Sequence, residues 1–483
     1  MALPTLRIIG FIIGIFLITL AVSMVIPMLT LLVFEHPEDL NAFLWSSMIT
    51  LIIGLLLVVP GRPENLKLRP RDMYLLTTCS WLVVCLFAAM PMMLLHHISF
   101  TDAFFETMSG VTTTGSTVLS GLDDASPALL IWRSMLQWLG GIGFIAMAVA
   151  ILPLLRVGGM RLFQTESSDW GEKVMPRSHM AAKYIVFVYL TFTILGVIAY
   201  WLSGMNWFDA INHSMTSIST AGYSTSDQSM GKFDPASHWV AIVLMVLGSL
   251  PFTLYVASLR GHRKALLRDE QVRGFVGMLL ITCALFSLWL WLNSEHALID
   301  AIRLASFNII SVATTTGYAL GDYTAWGGFA VMAFFYLTFV GGCSGSTTGG
   351  LKMFRFQVAL TLLHANLKQM VHPRAVIKQQ YNGHNLDEEI VRSILTFSFF
   401  ITMTIGAIAL FLALLGLDPL TALSGAATAV CNVGPGLGPI IGPAGNFASL
   451  PDAAKWVLAA GMLLGRLEIV TVLVLFTASF WRH

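Results

Sequence analysis

The chain has 483 residues, 56% of them hydrophobic and 11% charged, with a mean hydropathy of +0.77. Soluble domains carry about twice that charge and much less apolar excess, so a water-soluble globular protein is excluded. Lys and Arg number 27 against 26 Asp and Glu, a balance that implies neither nucleic acid nor an acidic soluble partner.

Apolar windows of about 20 residues, each long enough to cross ~30 Å of hydrocarbon, recur from end to end. They predict ten spans, at 8–34, 40–60, 73–95, 127–155, 181–203, 237–259, 274–294, 325–362, 391–415 and 453–480. The first run is longer than a secretory apolar segment and lacks a clear small-residue cleavage site, so it reads as a retained helix. Cys79, Cys85, Cys283, Cys343 and Cys431 are odd in number and scattered, which fits small core residues better than a disulfide framework.

Basic residues fall at every second connection. They are Arg7, then Arg62, Lys67, Arg69 and Arg71, then Arg156, Arg161, Lys173, Arg177 and Lys183, then Arg260, Arg263, Lys264, Arg268 and Arg273, then Lys352, Arg355, Lys368, Arg374, Lys378 and Arg392, and lastly Arg482. These are 22 of the 27, while the alternate connections carry mainly acids, among them Glu35, Glu38, Asp102, Asp123, Asp124, Asp227, Asp234 and Asp322. The positive-inside rule therefore places both termini in the cytoplasm.

After a two-span extension at 1–70, the other eight spans pair into four units, 71–178, 179–270, 271–388 and 389–483. Each unit holds, on the acidic side, an apolar stretch too short to cross, at 101–111, 207–218, 297–313 and 418–430. Each stretch begins near Asp102, Asp209, Asp300 or Asp418. They end in Thr112-Thr113-Thr114-Gly115, Ser219-Thr220-Ala221-Gly222, Thr314-Thr315-Thr316-Gly317 and Cys431-Asn432-Val433-Gly434. The Asp-to-Gly spacings of 13, 13, 17 and 16 differ by about one helical turn, which predicts a re-entrant helix with the Asp as its cap.

Irregular backbone at membrane depth must be buried in protein or line a water-filled path. Four such segments entering from one side imply a shared path, with the carbonyl ends of four helices aimed at its middle, which favours a cation. Each helix end contributes only ~0.3 to 1 kcal/mol, whereas moving an ion into a dry medium costs of the order of 20 kcal/mol. Direct ligation by carbonyl oxygens must therefore carry most of the stabilisation, as in potassium filters. Glycine supplies the φ > 0 geometry that turns carbonyls toward one axis.

With these motifs in register the chain resembles TrkH-type potassium uptake proteins of the Trk/Ktr/HKT superfamily along its whole length. The resemblance implies an all-α integral membrane fold of ten spanning helices, with four helix/pore-helix/helix units around one pore. Glycine at this position in all four units is associated there with K⁺ selectivity, and serine in the first with Na⁺ transport in some plant members. Gly115, Gly222, Gly317 and Gly434 therefore imply K⁺ as the transported ion. The fourth segment departs from Thr and Ser chemistry, but similar Asn-Val/Ile-Gly-Pro segments occur in the family.

Span eight contains Gly341-Gly342-Cys343-Ser344-Gly345-Ser346-Thr347-Thr348-Gly349-Gly350. Glycine costs a helix interior ~1 kcal/mol per position, so the helix should break. The resemblance places an intramembrane gate loop there; the other reading is a small-residue packing seam. Arg466, mid-way along span ten, costs ~2.5 to 3.5 kcal/mol at the bilayer centre and should face the bundle interior. Glu468 lies about 200° around the helix from it, so the two cannot pair within the helix. A matching family arginine suggests that Arg466 abuts the gate loop and opposes cations; the alternative is an ion pair to a neighbouring span.

The Gly-Cys-Ser-Gly match at 342–345 raises an intramembrane serine protease, but no histidine falls in any span after Ser344 to act as base. Leu351 stands where a phosphate-binding loop needs lysine, and Gly434 to Gly438 lacks a βαβ context. No enzymatic activity is expected. The competing readings are a Na⁺-conducting, or Na⁺- or H⁺-coupled, transporter of the same superfamily, and an unrelated secondary transporter with broken helices, which four re-entrant segments on one side fit poorly. The resemblance further implies a symporter or channel-like protein of the bacterial inner membrane, a homodimer, and a cytosolic TrkA-type ring that alone would bind NAD or ATP.

Overall fold

A computed structural model describes residues 3–34, 39–59, 69–96, 98–150, 178–375 and 377–482. The loop bases Arg62, Lys67, Arg156, Arg161, Lys173 and Arg177, and the acids Glu35 and Glu38, lie outside the described residues.

The two-span extension is α1 (Leu3–Ser23) running on into α2 (Val25–Val33), then α3 (Leu40–Val58). Gly14 and Gly54 face each other where α1 crosses α3, so that a Cβ on Gly14 would sit 2.8 Å from the Gly54 carbonyl oxygen. Unit one is α4 (Pro70–His96), α5 (Phe100–Val111) and α6 (Pro127–Ala150). Unit two is α7 (Ser178–Leu202), α8 (Trp207–Ile218), α9 (Pro235–Ser249) and α10 (Phe252–Leu259), followed by the short α11 (Ala265–Arg268). Unit three is α12 (Glu270–Asn293), α13 (Leu298–Ala313), α14 (Gly328–Leu337) and α15 (Met353–Val371). A hairpin of β1 (Gln380–Tyr381) and β2 (His384–Asn385) leads to unit four, which is α16 (Glu388–Leu414), α17 (Pro419–Cys431), α18 (Asp452–Arg466), α19 (Val470–Leu473) and α20 (Ala478–Trp481).

Among the described residues, seven helices are long and apolar enough to cross a membrane, and two bent pairs bring the count to nine. The expected eighth span is α14 and α15 with the glycine-rich loop between them, so ten crossings remain compatible with the architecture. Two further breaks went unexpected. Span six turns by 89° between α9 and α10, and span ten by 106° between α18 and the segment beginning at Val470. Pro251 stands at the first of these, where it lacks the N–H to continue the helix.

The four short helices α5, α8, α13 and α17 are buried at the centre, while α12 and α16 turn Leu280, Leu285, Leu395 and Phe399 outward, as lipid-facing surfaces do. One expectation about them needs correction. Asp102, Asp209 and Asp300 are the third residues of their helices and not the caps; Ser99 and Asn206 cap the first two, accepting from the Asp102 and Asp209 N–H at 3.1 and 2.8 Å. The carboxylates reach back, accepting from Ser99 Oγ and Asn206 Nδ2, so cap and acid satisfy each other. Only Asp418 is a cap, which accounts for unit four's longer spacing; unit three's helix is four residues longer than units one and two.

The breaks also move two basic residues. Lys352 and Arg355, expected among cytoplasmic loop charges, are buried at the junction of the glycine-rich loop with α15. Arg355 donates to Glu468 at 2.6 Å and lies 3.7 Å over the Phe397 ring.

Glycines in α6, α9 and α18 admit the last carbonyls of the central helices. A Cβ at Gly140, Gly248 or Gly465 would fall closer than 3.0 Å to the carbonyl oxygen of Val111, Ile218 or Val430. The obstacle is backbone, which cannot rotate aside. Gly465→Ala should therefore destabilise the protein by ~1 to 3 kcal/mol, the usual cost of overpacking, seen as a lower melting temperature of the detergent-solubilised protein; an unchanged melt would show that α18 stands off from α17.

Candidate functional site

The four central helices end alike. The N–H groups of Thr113, Thr220, Thr315 and Asn432 donate three residues back, to Gly110, Ser217, Val312 and Ala429. The next N–H groups, of Thr114, Ala221, Thr316 and Val433, donate five residues back, to Ser109, Thr216, Ser311 and Thr428, at 2.8 to 3.0 Å. This pair of bonds closes a helix with a left-handed residue in the position that glycine usually takes. Here Thr113, Thr220 and Thr315 occupy it with φ of 55°, 48° and 54°, and Asn432 with 54°. A β-branched residue there is an outlier, and strain of this kind, of order 1 to 3 kcal/mol per residue, persists where the surroundings over-determine it.

Two residues on, Gly115, Gly222, Gly317 and Gly434 also have positive φ, between 79° and 115°. Each faces the next segment. A Cβ on Gly115 would fall closer than 3.0 Å to the carbonyl oxygen of Ala221, one on Gly222 to that of Thr316, one on Gly317 to that of Val433, and one on Gly434 to that of Thr114. The contacts run from unit one to two, three, four and back to one. The four segments therefore form a closed ring, and all four glycines line a single cavity of about 590 Å³.

Buried backbone carbonyls are almost always paired. Among the described residues, no group donates to the carbonyls of Thr113, Thr220, Thr315 and Asn432, although these residues are at most 1% exposed. The same holds for the carbonyls of Thr114, Thr316 and Val433, whereas that of Ala221 accepts from Gln137 Nε2 at 2.6 Å. Side chains add hydroxyl pairs, Thr112 with Thr114 at 2.7 Å and Thr314 with Thr316 at 2.8 Å, and Asn432 Nδ2 donates to Thr114 Oγ1 at 2.9 Å. Cys431 and Ser219 sit at the helix ends beside them. No three of His, Cys, Asp and Glu gather as metal ligands among the described residues, so the oxygen offered here is backbone and hydroxyl. The ring suits a bare monovalent cation.

The segment from Gly341 to Gly350 is an irregular loop against this ring. Its ends are tied together, with Gly341 N–H donating to Leu351 O at 2.8 Å and Leu351 N–H to Phe339 O at 3.1 Å. Its middle answers the break in span six. The Ser249 and Gly248 carbonyls, freed where α9 ends, accept from the Cys343 and Thr347 N–H, and the Gly345 carbonyl accepts from the Phe252 N–H that opens α10. The loop also touches the left-handed residues directly, Thr347 Oγ1 with Thr220 Oγ1 at 2.9 Å and Gly349 N–H to Thr315 Oγ1 at 2.8 Å. Ser344 N–H donates to Gln271 Oε1, and Ser346 Oγ pairs with Thr348 Oγ1. Gly342 and Gly349 lie against the Ser249 and Cys431 carbonyls, and Gly350 has φ of 63°. Lys352 Nζ donates to the Thr348 carbonyl and, at 3.0 Å, to its hydroxyl.

Arg466 ends α18 at 1% exposure. Its guanidinium stacks 3.8 Å from the Phe144 ring, and none of its three nitrogens has a hydrogen-bond acceptor among the described residues. Lys352 Nζ lies 5.2 Å from the same ring, which puts Arg466 beside the loop's end. Glu468, in contrast, is taken by Arg355.

Sequence alone marks Glu106 and Asn308 as pore-helix or mouth residues without a role, and passes over others. Glu106, nine residues before Gly115, accepts from Arg133 and from the Val118 N–H, both at 2.9 Å; Asn308, in the same place in unit three, accepts from the Leu320 N–H at 3.0 Å. His213 is the unit-two equivalent, buried and bonded to Ser224 Oγ at 2.9 Å. Aligning the units on glycine was the available signal. The loop after Gly434, through Pro439 to Ser449, lines the cavity and is tied to unit one by the Phe447 N–H and the Thr117 carbonyl. Near the cavity-lining Leu122 and Asp227, burial raises the Asp123 carboxyl, but bonds from Lys232, Ser226 and the Asp227 N–H outweigh that and hold it below the ordinary range.

The TrkH family profile, described as cation transport protein, matches residues 39–483. The Trk system potassium uptake protein TrkI of Halomonas elongata is 51% identical over 96% of this chain and 95% of its own length. The Trk system potassium uptake protein TrkH of Escherichia coli K12 is 36% identical over 98% of each chain. The crystal structure of the potassium transporter TrkH from Vibrio parahaemolyticus superposes with a TM-score of 0.91 at 35% identity, covering 99% of this chain and all of that one.

Proposed function

The chain belongs to the TrkH family of cation transport proteins and is a multi-pass Trk-system potassium uptake transporter, not an enzyme; from that premise we propose that it takes up K⁺ through the four-glycine ring. The reading rests on one observation, the cyclic contact of Gly115, Gly222, Gly317 and Gly434 around one cavity, beside carbonyls that accept no hydrogen bond among the described residues. Those of Thr113, Thr220, Thr315 and Asn432, with the segments around them, replace the ion's hydration shell. K⁺ is cargo here, and the chain itself carries no nucleotide.

The loop Gly341 to Gly350 obstructs the pathway and Arg466 adds a positive charge beside it. Support comes from the hydrogen bonds of Thr347 and Gly349 to the ring, and from an arginine without an acidic partner among the described residues. A homodimer in a bacterial inner membrane, both termini cytoplasmic, and a TrkA-type nucleotide-binding ring on the basic inner loops complete the proposal.

Reconstituted protein should pass ⁸⁶Rb⁺ in strong preference to Na⁺, with an imposed proton gradient deciding between passive and coupled uptake; equal passage of the two ions would reject the K⁺ filter. Gly115→Ser places a side chain against the Ala221 carbonyl, and its ⁸⁶Rb⁺ to Na⁺ flux ratio should fall. Arg466→Ala, or deletion within 341–350, should raise ⁸⁶Rb⁺ flux while keeping that ratio. Wild-type flux from a normally inserted Arg466→Ala protein would reject the gate assignment.

A further inference from the structure

Counting from the ring glycines, the residue nine positions earlier in each unit is Glu106, His213, Asn308 or Gly425. In three units this residue pins the chain just beyond the glycine: Glu106 to the Val118 N–H, His213 to Ser224 Oγ and Asn308 to the Leu320 N–H. In unit four the neighbouring Ser424 Oγ does the same for the Leu437 N–H. These pins lie within single units, and unit one's alone is an ion pair that reaches a second.

Arg133, on α6, donates from Nε to Glu106 Oε1 at 2.9 Å, from Nη2 to Thr117 Oγ1 at 3.2 Å and from Nη1 to the Ser224 carbonyl of unit two at 3.2 Å. The same guanidinium lies 4.0 Å from the Tyr223 ring centre. Tyr223 follows Gly222, and its hydroxyl donates to the Glu106 carbonyl at 2.8 Å. One turn along α6, Gln137 donates to the Ala221 carbonyl and accepts from the Tyr223 N–H. Arg133 and Glu106 are at most 1% exposed, and Arg133 reaches the wall of the ring's cavity.

We infer that the Arg133–Glu106 pair is a positioning pair that holds the first and second ring segments at a fixed separation and so sharpens discrimination between K⁺ and the smaller Na⁺. The inference rests on the filter reading above. Arg133 joins the two segments through a planar fork whose donors point to both, a geometry a lysine ammonium cannot reproduce. A ring whose ligands are kept apart cannot contract around a smaller ion, and a loosened joint lets it do so.

The test is the ⁸⁶Rb⁺ to ²²Na⁺ flux ratio of purified full-length protein in proteoliposomes, alongside its melting temperature. Arg133→Met should lower the ratio by roughly tenfold, about what one lost charge-assisted hydrogen bond corresponds to, while Rb⁺ still passes. Arg133→Lys should fall between Arg133→Met and wild type. Where Arg133→Met does not insert, Arg133→Lys and Glu106→Gln carry the test. A lowered melt with an unchanged ratio in these variants would overturn the inference and leave the pair a structural ion pair. A wild-type protein that does not discriminate would instead fail the filter reading itself.

Discussion

Backbone carbonyls that no group among the described residues satisfies are the constraint from which the rest of this structure follows. Four chain segments bring them to one place, and each needs a neighbour's glycine to make room. The closed order of contacts from Gly115 through Gly222, Gly317 and Gly434 back to unit one is what a ring of four unequal repeats requires. The left-handed threonines are its strained part. Thr113, Thr220 and Thr315 adopt a backbone that glycine would hold more easily, because the bonds five residues back fix the segment and the side chain supplies oxygen that glycine lacks.

The second consequence is that the helix breaks satisfy one another. A helix ending inside a membrane exposes carbonyls that neither lipid nor water satisfies. Helix α9 of span six ends at Ser249 and helix α14 of span eight at Leu337, and each break supplies what the other lacks: the Ser249 carbonyl for the Cys343 N–H, the Gly248 carbonyl for the Thr347 N–H, and the Gly345 carbonyl for the Phe252 N–H. Without the loop these groups would be bare together, and with them the Thr315 hydroxyl, whereas the Thr220 hydroxyl would keep its bond to the Ser219 carbonyl. The loop is thus coupled to the ring through shared hydrogen bonds.

Much of this was legible in the sequence because it is written in composition and register. Ten apolar windows, alternating basic connections and four glycine segments spaced from an Asp need no tertiary information. The break at Gly341 was legible for the same reason, five glycines being costly in a helix. The breaks at Pro251 and after Arg466 were not, since single residues within otherwise apolar windows leave mean hydropathy high. Nor could the sequence tell that Lys352 and Arg355 leave the basic loop pattern, since burial depends on where α15 begins. The capping roles of Ser99 and Asn206 were passed over because an acid stood three residues later, where it completes the cap and does not form it.

The buried cations divide the protein into two electrostatic tiers. Among the described residues five are buried: Arg133, Lys352, Arg355, Lys455 and Arg466. Arg133, Arg355 and Lys455 have carboxylates within hydrogen-bonding distance, in Glu106, Glu468 and Asp102, and are neutralised pairs that brace one element against another. Among the described residues, Lys352 donates to the Thr348 oxygens and lies 5.2 Å from the Phe144 ring, while Arg466 has no hydrogen-bond acceptor and stacks on the same ring. An aromatic face contributes ~2 kcal/mol or more to a desolvated cation, well short of what a buried ion loses on leaving water. The two cations share that ring, so their mutual repulsion adds to the deficit. Such a pair is at its least stable when no anion or water reaches it, so water or an anion admitted beside the Phe144 ring would relieve it.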